Sequence, residues 1–428
     1  MKTVVMAGGR GTRIAQVNSE VPKPMIPVLG KPILLYETEG LKSQGCTEFI
    51  FVIGYKGDVI KNYFGDGRAF GIEIEYFEET EPLGTAGALY YLQKKLTEDF
   101  LLVNGDIIFD IDVQRFYDFH RKSGAVATLL THPNSHPYDS GIIIADENNR
   151  VVSWLAKEDE RQWYKNRVNS GIHLLSPEIF EMSGGNGLFN GGKLDLDRQV
   201  LRPLIQSGRV FAYDSPEYVK DMGTPDRLSS VTDDIKSGRV KNKRLSEKQK
   251  AIFLDRDGTI NKYVGFLNDI SQMELLPCSC EAISRINGSE YLAIVVTNQP
   301  VVARGETTLA QLGEIHNKME TLLGEKGAYV DDIFFCPHHP DKGFENEVAE
   351  LKFDCECRKP KPGMLLSAAK KYNIDLSASY SVGDSKNDID AGKAAGVKTV
   401  IIGDNDCGAD FEAKDLRDAV NKIIDGRK

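Results

Sequence analysis

Thr3-Val4-Val5-Met6-Ala7-Gly8-Gly9-Arg10-Gly11-Thr12-Arg13 is a short apolar run that breaks into glycines and cations. Such a run reads as a buried strand, and the glycines after it let backbone N–H groups close on phosphate oxygens without a Cβ in the way. Arg13, and Lys23 within Pro22-Lys23-Pro24, add the positive charge that a triphosphate needs. The pattern restarts at Ile252-Phe253-Leu254-Asp255-Arg256-Asp257-Gly258-Thr259-Ile260, where the apolar run ends in two aspartates instead. Two beginnings of this kind predict two separate α/β sheets.

Working outward, further apolar runs bounded by Gly, Asp or Asn alternate with helical patterns. In the first half they predict strands at Thr3–Met6, Phe49–Gly54, Phe100–Asn104, Ala125–Leu130 and Gly171–Leu175. In the second half they predict strands at Ala251–Leu254, Leu292–Thr297, Ile333–Cys336, Tyr380–Gly383 and Thr399–Ile402. A length of 428 residues suits two domains, each of roughly 200 residues. We expect domains at 1–235 and 251–428, joined by the basic stretch 236–250 as a solvated connection.

With 53 Lys plus Arg against 63 Asp plus Glu, the net charge of −10 argues against a general nucleic-acid binder. The start of the chain has no signal-peptide pattern and no stretch is apolar enough for a spanning helix, so a cytoplasmic protein without a membrane partner is expected. Cys336, Cys355 and Cys357 crowd beside histidines, which in a reducing compartment reads as metal rather than disulfide.

In the first half, Asn104-Gly105-Asp106 ends an apolar strand, where an aspartate faces the ligand crevice and can hold Mg²⁺. Asp221, in Asp221-Met222-Gly223-Thr224-Pro225, is a second metal candidate. Two carboxylates on an ion that bridges phosphates are a minimal kit for nucleotidyl transfer. With Pro82-Leu83-Gly84-Thr85-Ala86-Gly87 and Asn169-Ser170-Gly171, the ordered set resembles the sugar-1-phosphate nucleotidyltransferase family over about residues 1–232. The resemblance implies a Rossmann-like domain with a mixed sheet. It places Gly8, Gly9 and Gly11 on the nucleotide, Gly84 and Thr85 near base and ribose, and Asn104 in the binding site. Asn169 and Gly141 would face the sugar, Arg13 and Lys23 would grip phosphates, and Asp106 and Asp221 would hold Mg²⁺. The sugar phosphate would attack the α-phosphate of a nucleoside triphosphate in line, releasing pyrophosphate. Many members carry Glu-Lys where this chain has Ala156-Lys157, so Lys157 alone carries over. The stretch 13–22 looks closer to the heptose and mannose guanylyl branch, which makes GTP the favoured donor.

In the second half, the Asp255-Arg256-Asp257 spacing lets one carboxylate attack a phosphate while the other handles the proton of the leaving oxygen. Val295-Val296-Thr297-Asn298, Arg358-Lys359-Pro360 and Val382-Gly383-Asp384-Ser385-Lys386-Asn387-Asp388 follow in order. This resembles the haloacid-dehalogenase-like phosphatase superfamily over about residues 251–425, a Rossmann-type α/β fold. By that resemblance Asp255 is the nucleophile and Asp257 the general acid, then base. Thr297 and Lys359 would stabilise the phosphoryl group and Asn298 would bind substrate. Asp384, Asp255 and the Asp257 backbone would hold Mg²⁺, with Asp388 behind them.

Cys336, His338, Cys355 and Cys357 form a C-x-H-x16-C-x-C pattern. Three thiolates and an imidazole close a tetrahedral shell, so one structural Zn²⁺ is expected to staple this loop, with His339 the weaker ligand choice. The zinc loop beside Arg358 narrows the likeness to the histidinol-phosphate and heptose-bisphosphate phosphatase subgroup. There Arg358 contacts substrate, and Tyr263–Phe266 and Thr297–Pro300 line an open site. Gln299-Pro300-Val301-Val302-Ala303-Arg304-Gly305 departs from the usual Gln-Ser-Gly stretch.

Together the resemblances imply consecutive steps. A phosphatase makes D-glycero-D-manno-heptose 1-phosphate from the 1,7-bisphosphate, and a transferase joins it to a nucleotide. Two alternatives stand beside this: a hexose-1-phosphate transferase fused to a histidinol-phosphate-like phosphatase, and a sugar-nucleotide-binding scaffold with decayed sites. Assembly as a homo-oligomer is compatible with either half.

Overall fold

A computed structural model describes residues 1–9, 20–184, 187, 189, 191–403 and 407–426. Gly11 and Arg13 lie outside them. Two compact units emerge: residues 1–132, 143–155 and 169–244 form the first, and residues 133–142, 156–168 and 245–428 the second. The chain passes between them five times, the last between Arg244 and Leu245.

The first unit is built on a nine-stranded sheet with strands β1 (Thr3–Met6), β2 (Glu48–Ile53), β3 (Glu73–Glu78), β4 (Phe100–Asn104), β6 (Ala127–His132), β7 (Ile142–Ala145), β8 (Val151–Leu155), β9 (Val168–Leu175) and β10 (Val210–Asp214). A separate pair, β5 (Ile107–Asp110) and β11 (Tyr218–Asp221), runs antiparallel. The sheet order is β8-β7-β9-β4-β1-β2-β3, with β6 pairing β9 and β10. β1 is parallel to β2 and β4, while β9 runs antiparallel to β4, so the sheet is mixed as expected. Alternate residues feed two cores. Phe49, Phe51 and Ile53 of β2 enter one and Ile50 and Val52 the other, as a sheet covered on both faces requires. The helices α1 (Ile33–Lys42) and α2 (Pro225–Lys236) stand near the carboxyl end of β1 and β4, where the strand order turns back.

The stretch 236–250 is in part the solvated connection that its charge suggests, with Lys236, Lys241 and Lys248 exposed, and in part packed. Lys243 is buried, Arg244 donates to Asp110 Oδ1 from Nε and Nη2 at 2.8 and 2.5 Å, and Arg239 pairs with Asp234 at 2.7 Å. Arg239 and Arg244 thus have carboxylate partners within the first unit, which is why they pack, whereas Lys236, Lys241 and Lys248 face water.

The second unit has a six-stranded, all-parallel sheet: β12 (Lys250–Leu254), β13 (Tyr291–Asn298), β14 (Asp332–Cys336), β15 (Tyr380–Gly383), β16 (Lys398–Ile402) and β17 (Phe411–Ala413). Its order is β14-β13-β12-β15-β16-β17, so the chain builds outward from β12 first to one side and then to the other. The crevice at that switch lies beyond the carboxyl ends of β12, β13 and β15. Helices α3 (Ser279–Asn287), α4 (Leu309–Gly324), α5 (Gly363–Tyr372), α6 (Lys386–Ala395) and α7 (Leu416–Asp425) accompany it. Residues 156–168 of this unit pack on α4. Arg167 Nη1 donates to Glu320 Oε2 at 3.0 Å with both side chains buried, Tyr164 N donates to Thr321 Oγ1 at 3.0 Å, and Asn166 N donates to Glu320 Oε2 at 3.1 Å.

Candidate active sites

In the first unit a cavity of about 950 Å³ opens at the carboxyl ends of β1, β2 and β4. Gly8, Gly9, Lys23, Gly84, Thr85, Asn104 and Asp106 line it. The β5–β11 ladder sets Asp221 opposite Ile107, and Met222 N donates to Asp106 O at 3.1 Å, which brings the two aspartates of distant sequence together. Lys23 Nζ donates to Asp106 Oδ2 at 2.5 Å, and Arg227 Nη1 donates to both Asp221 oxygens at 2.8 and 2.7 Å. Burial alone would raise the Asp221 carboxyl, but Arg227 and the Gly223 N–H outweigh it and hold the group below its ordinary value.

Other expected contacts are placed differently. Thr85 Oγ1 accepts from Leu196 N at 2.7 Å, so this hydroxyl also fixes the neighbouring loop. Asn169 Oδ1 accepts from His173 Nε2 at 3.1 Å, and its amide also meets Asp197. Burial pushes His173 down to about 4. Burial first, then the charge of Asp195, push Asp197 up to about 6. Gly141 and Lys157 belong to the segments grouped with the second unit and are not among the residues lining this cavity.

Three residues here were not legible from motifs. Glu37 is buried on α1 and accepts from Ile107 N at 3.1 Å, fixing the backbone beside Asp106. Burial first, then the Asp106 charge, raise its carboxyl well above the ordinary value. Glu79 lines the cavity, accepts from Leu83 N at 3.3 Å, and is raised by burial. Arg227 follows the N-cap Thr224 by three residues, a capping pattern that could have pointed to it.

In the second unit a cavity of about 220 Å³ is lined by Asp255, Asp257, Thr297, Asn298, Arg358, Lys359 and Asp384. Lys359 Nζ donates to Asp255 Oδ1 at 2.7 Å, to Asp388 Oδ1 at 2.5 Å and to Val296 O at 2.8 Å. Burial alone would lower Lys359, yet the two carboxylates hold it above its usual value. Asp255 is pushed up to about 7 by burial, with Lys359 pulling it down and Asp388 and Asp257 pushing it up. Asp384 rises to about 6 through burial and the Asp388 charge. Asn298 and Lys359 exchange two hydrogen bonds of 3.0 Å, and Ser385 donates to Asp388 from N and Oγ at 3.0 and 2.6 Å. Gly258 has φ +84°, and a Cβ there would meet Asp384 Oδ2 at 2.0 Å, so only glycine lets this carboxylate approach the turn. Oxygens of Asp255, Asp384 and Asp388 lie within 4.8 Å of one another, an oxygen set suited to a hard cation.

Asp257 is held by Arg256 and Asn261, which motif reading passed over, and by Gln299 of the stretch 297–300 expected to line the site. Arg256 Nη2 donates to its oxygens at 3.0 and 2.8 Å, Asn261 Nδ2 at 2.9 Å and Gln299 Nε2 at 2.8 Å. Gln299 Nε2 also reaches Thr297 Oγ1 at 2.9 Å, and its Oε1 accepts from Arg256 Nη2 at 3.0 Å. One amide therefore aligns the second aspartate with the hydroxyl of β13.

Donor atoms of Cys336, His338, Cys355 and Cys357 converge within 4.8 Å. The Sγ atoms of Cys336 and Cys355 are 3.4 Å apart, and His338 Nδ1 lies 3.3 Å from Cys357 Sγ. His339 instead turns toward Arg304, whose Nη2 is 3.4 Å from its Nε2. Arg358 Nη1 donates to His338 O at 3.2 Å, joining this cluster to the cavity.

Fold and geometry thus define two enzymes on one chain, a nucleotidyltransferase and a phosphatase. The nucleotidyl transferase family model matches residues 2–238, and a HAD-hydrolase-like model matches residues 356–422. Mannose-1-phosphate guanylyltransferase of Mycobacterium tuberculosis is 32% identical over 238 residues, which is 55% of this chain and 64% of that protein's length. D-glycero-beta-D-manno-heptose-1,7-bisphosphate 7-phosphatase of Pasteurella multocida is 43% identical over 155 residues, 36% of this chain and 81% of that protein. The crystal structure of HddC from Yersinia pseudotuberculosis complexed with GMP-PN is 26% identical, covering 55% of this chain and 99% of that one, with a TM-score of 0.47. The chain belongs to the nucleotidyl transferase family through its N-terminal half and to the HAD-like sugar bisphosphate phosphatases through its C-terminal half. Mg²⁺ is consistent with both families and with the carboxylate cluster. Among the described residues no helix is long and apolar enough to cross a membrane.

Proposed function

We propose that this chain catalyses two consecutive steps of nucleotide-activated heptose synthesis. The second unit removes the 7-phosphate of D-glycero-D-manno-heptose 1,7-bisphosphate. The first unit then transfers GMP from GTP to the heptose 1-phosphate. The observation that carries this reading is a phosphatase half 43% identical to a heptose-1,7-bisphosphate 7-phosphatase, joined to a half 32% identical to a guanylyltransferase.

In the phosphatase, an Asp255 oxygen bonds to phosphorus as the bond to the sugar oxygen breaks, and Asp257 gives that oxygen its proton. Water then attacks the aspartyl phosphate while Asp257 takes the water's proton, and phosphate leaves with Asp255 restored. Lys359, Thr297 and Asn298 hold the phosphoryl oxygens, and Arg358 contacts the sugar side. In the transferase, an oxygen of the sugar phosphate bonds to the α-phosphorus and the bond to pyrophosphate breaks. Gly8, Gly9, Gly11, Arg13 and Lys23 hold the triphosphate, with Asn169 toward the sugar. Asp255, Asp384 and the Asp257 backbone would hold Mg²⁺ in one site and Asp106 and Asp221 in the other, where it would supply neutralisation of phosphate charge. Cys336, His338, Cys355 and Cys357 would hold one structural Zn²⁺, since three thiolates and one imidazole leave no open position.

Glu79 supports guanine as the base. A carboxylate only accepts, and the guanine edge presents two adjacent N–H donors, whereas uracil and thymine flank their single N–H with carbonyls. Free thiols and a nucleoside triphosphate donor support a cytoplasmic setting.

The test supplies heptose 1,7-bisphosphate, Mg²⁺ and each nucleoside triphosphate in turn, following phosphate and pyrophosphate together. Phosphate release followed by GTP-dependent pyrophosphate is expected. Pyrophosphate with hexose 1-phosphates alone, or phosphate from another substrate alone, overturns the heptose assignment.

A further inference from the structure

Arg304 leaves the turn after β13 and inserts between two aromatic rings. Its guanidinium carbon is 4.0 Å from the Phe266 ring centre and 4.7 Å from that of Phe344. Phe266 is on the wall of the phosphatase cavity. Phe344 belongs to the loop between the two halves of the Cys/His cluster, as does His339, whose Nε2 is 3.4 Å from Arg304 Nη2. Arg304 Nε is buried with no hydrogen-bond partner, so the group is fixed chiefly by ring faces and His339.

The backbone around it is pinned to the same loop. Val348 N donates to Ala303 O at 3.0 Å. At Gly305, with φ +73°, a Cβ would fall 1.7 Å from Asn346 O, an approach closed to any other residue. The far side of the sandwich is less supported: Phe266 is 48% exposed, Tyr263 68% and Val264 45%. Residues 263–266 of the substrate-facing loop therefore have little packing of their own near the arginine, while Leu267 anchors the end of the loop in the core.

Resting on the sugar bisphosphate reading above, we infer that Arg304 is a positioning residue for substrate selection, which fastens the loop 263–267 to the metal-cluster loop through Phe266 and Phe344. Phosphate chemistry at Asp255 and Lys359 stands on the sheet and does not need this fastening; recognition of the sugar does. A small aryl phosphate, which fills only the phosphate end of the cavity, should be insensitive to it.

The test compares wild type, Arg304→Met and Arg304→Lys in the full chain. The first readout is amide hydrogen exchange over residues 262–268 and over β12. Exchange at 262–268 should quicken about tenfold in Arg304→Met and return toward wild type in Arg304→Lys, with β12 unchanged. The second readout is steady-state kinetics: KM for heptose 1,7-bisphosphate should rise about tenfold with kcat held within about twofold, and p-nitrophenyl phosphate turnover should not move. Unchanged exchange at 262–268, equal quickening in β12, or equal losses on both substrates would each overturn the inference. A wild type that cleaves p-nitrophenyl phosphate but not the heptose bisphosphate sinks the substrate reading instead, and the exchange experiment still decides the role of Arg304.

Discussion

Glu79 shows what a single side chain can decide and why a motif can hide it. In Glu78-Glu79-Thr80-Glu81 it reads as one of several solvated acids, and only the fold carries it into the cavity beside Gly8 and Gly54. Glu79→Gln replaces an oxygen acceptor with an amide donor, so the preference for GTP over UTP should fall at least about tenfold, read as the ratio of pyrophosphate release rates. Asp255 and Asp257 were legible because a spacing of two at a strand end is itself the geometry. The hold of Arg256 and Gln299 on Asp257 was not, since it depends on how the turn after β12 folds and on where β13 ends. His173 makes a pH prediction. Its folded pKa of about 4 lies below the ordinary 6.5, so acid favours the unfolded chain, which takes up the proton first. Stability should fall as pH drops from about 6.5 to 4, by on the order of 3 kcal/mol, and level off below that. Urea midpoints of wild type and His173→Gln across that range check it; the variant should show a shallower slope.

Among the elements, every strand expected from an apolar run is present within a few residues of its bounds, while the short strands β7, β8, β10 and β17 were not expected. β3, Glu73-Ile74-Glu75-Tyr76-Phe77-Glu78, was missed because it lies at the sheet edge, where charged side chains alternate outward. β5 and β11 escaped for another reason: they pair across more than a hundred residues of sequence, and that pairing is what delivers Asp221 to Asp106. The Cys/His loop was legible because its ligands are local in spacing even though its chain is irregular. Cys355→Ser should lower bound zinc from about one per chain to a small fraction. It should also lower the unfolding midpoint of the phosphatase while leaving GTP-dependent pyrophosphate release intact, as metal analysis and the two assays will show.

At the level of the whole chain, two domains and their order were readable from the two restarts of strand and site. The assignment of residues 133–142 and 156–168 was not, because their partners Glu320 and Thr321 lie more than 150 residues away in sequence. Arg167 and Glu320 are both buried, and a lone charge left there is costly. Arg167→Met should destabilise the second unit by about 3–5 kcal/mol, and adding Glu320→Met should recover most of it. Thermal unfolding of the single and double variants in the full chain checks this. The same pair bears on modularity. The second unit is not a contiguous cassette: transplanting residues 245–428 onto another protein leaves behind the tyrosine, asparagine and arginine that bond to α4. A portable version must either bring the strip 156–168 along or be redesigned with a neutral residue at 320.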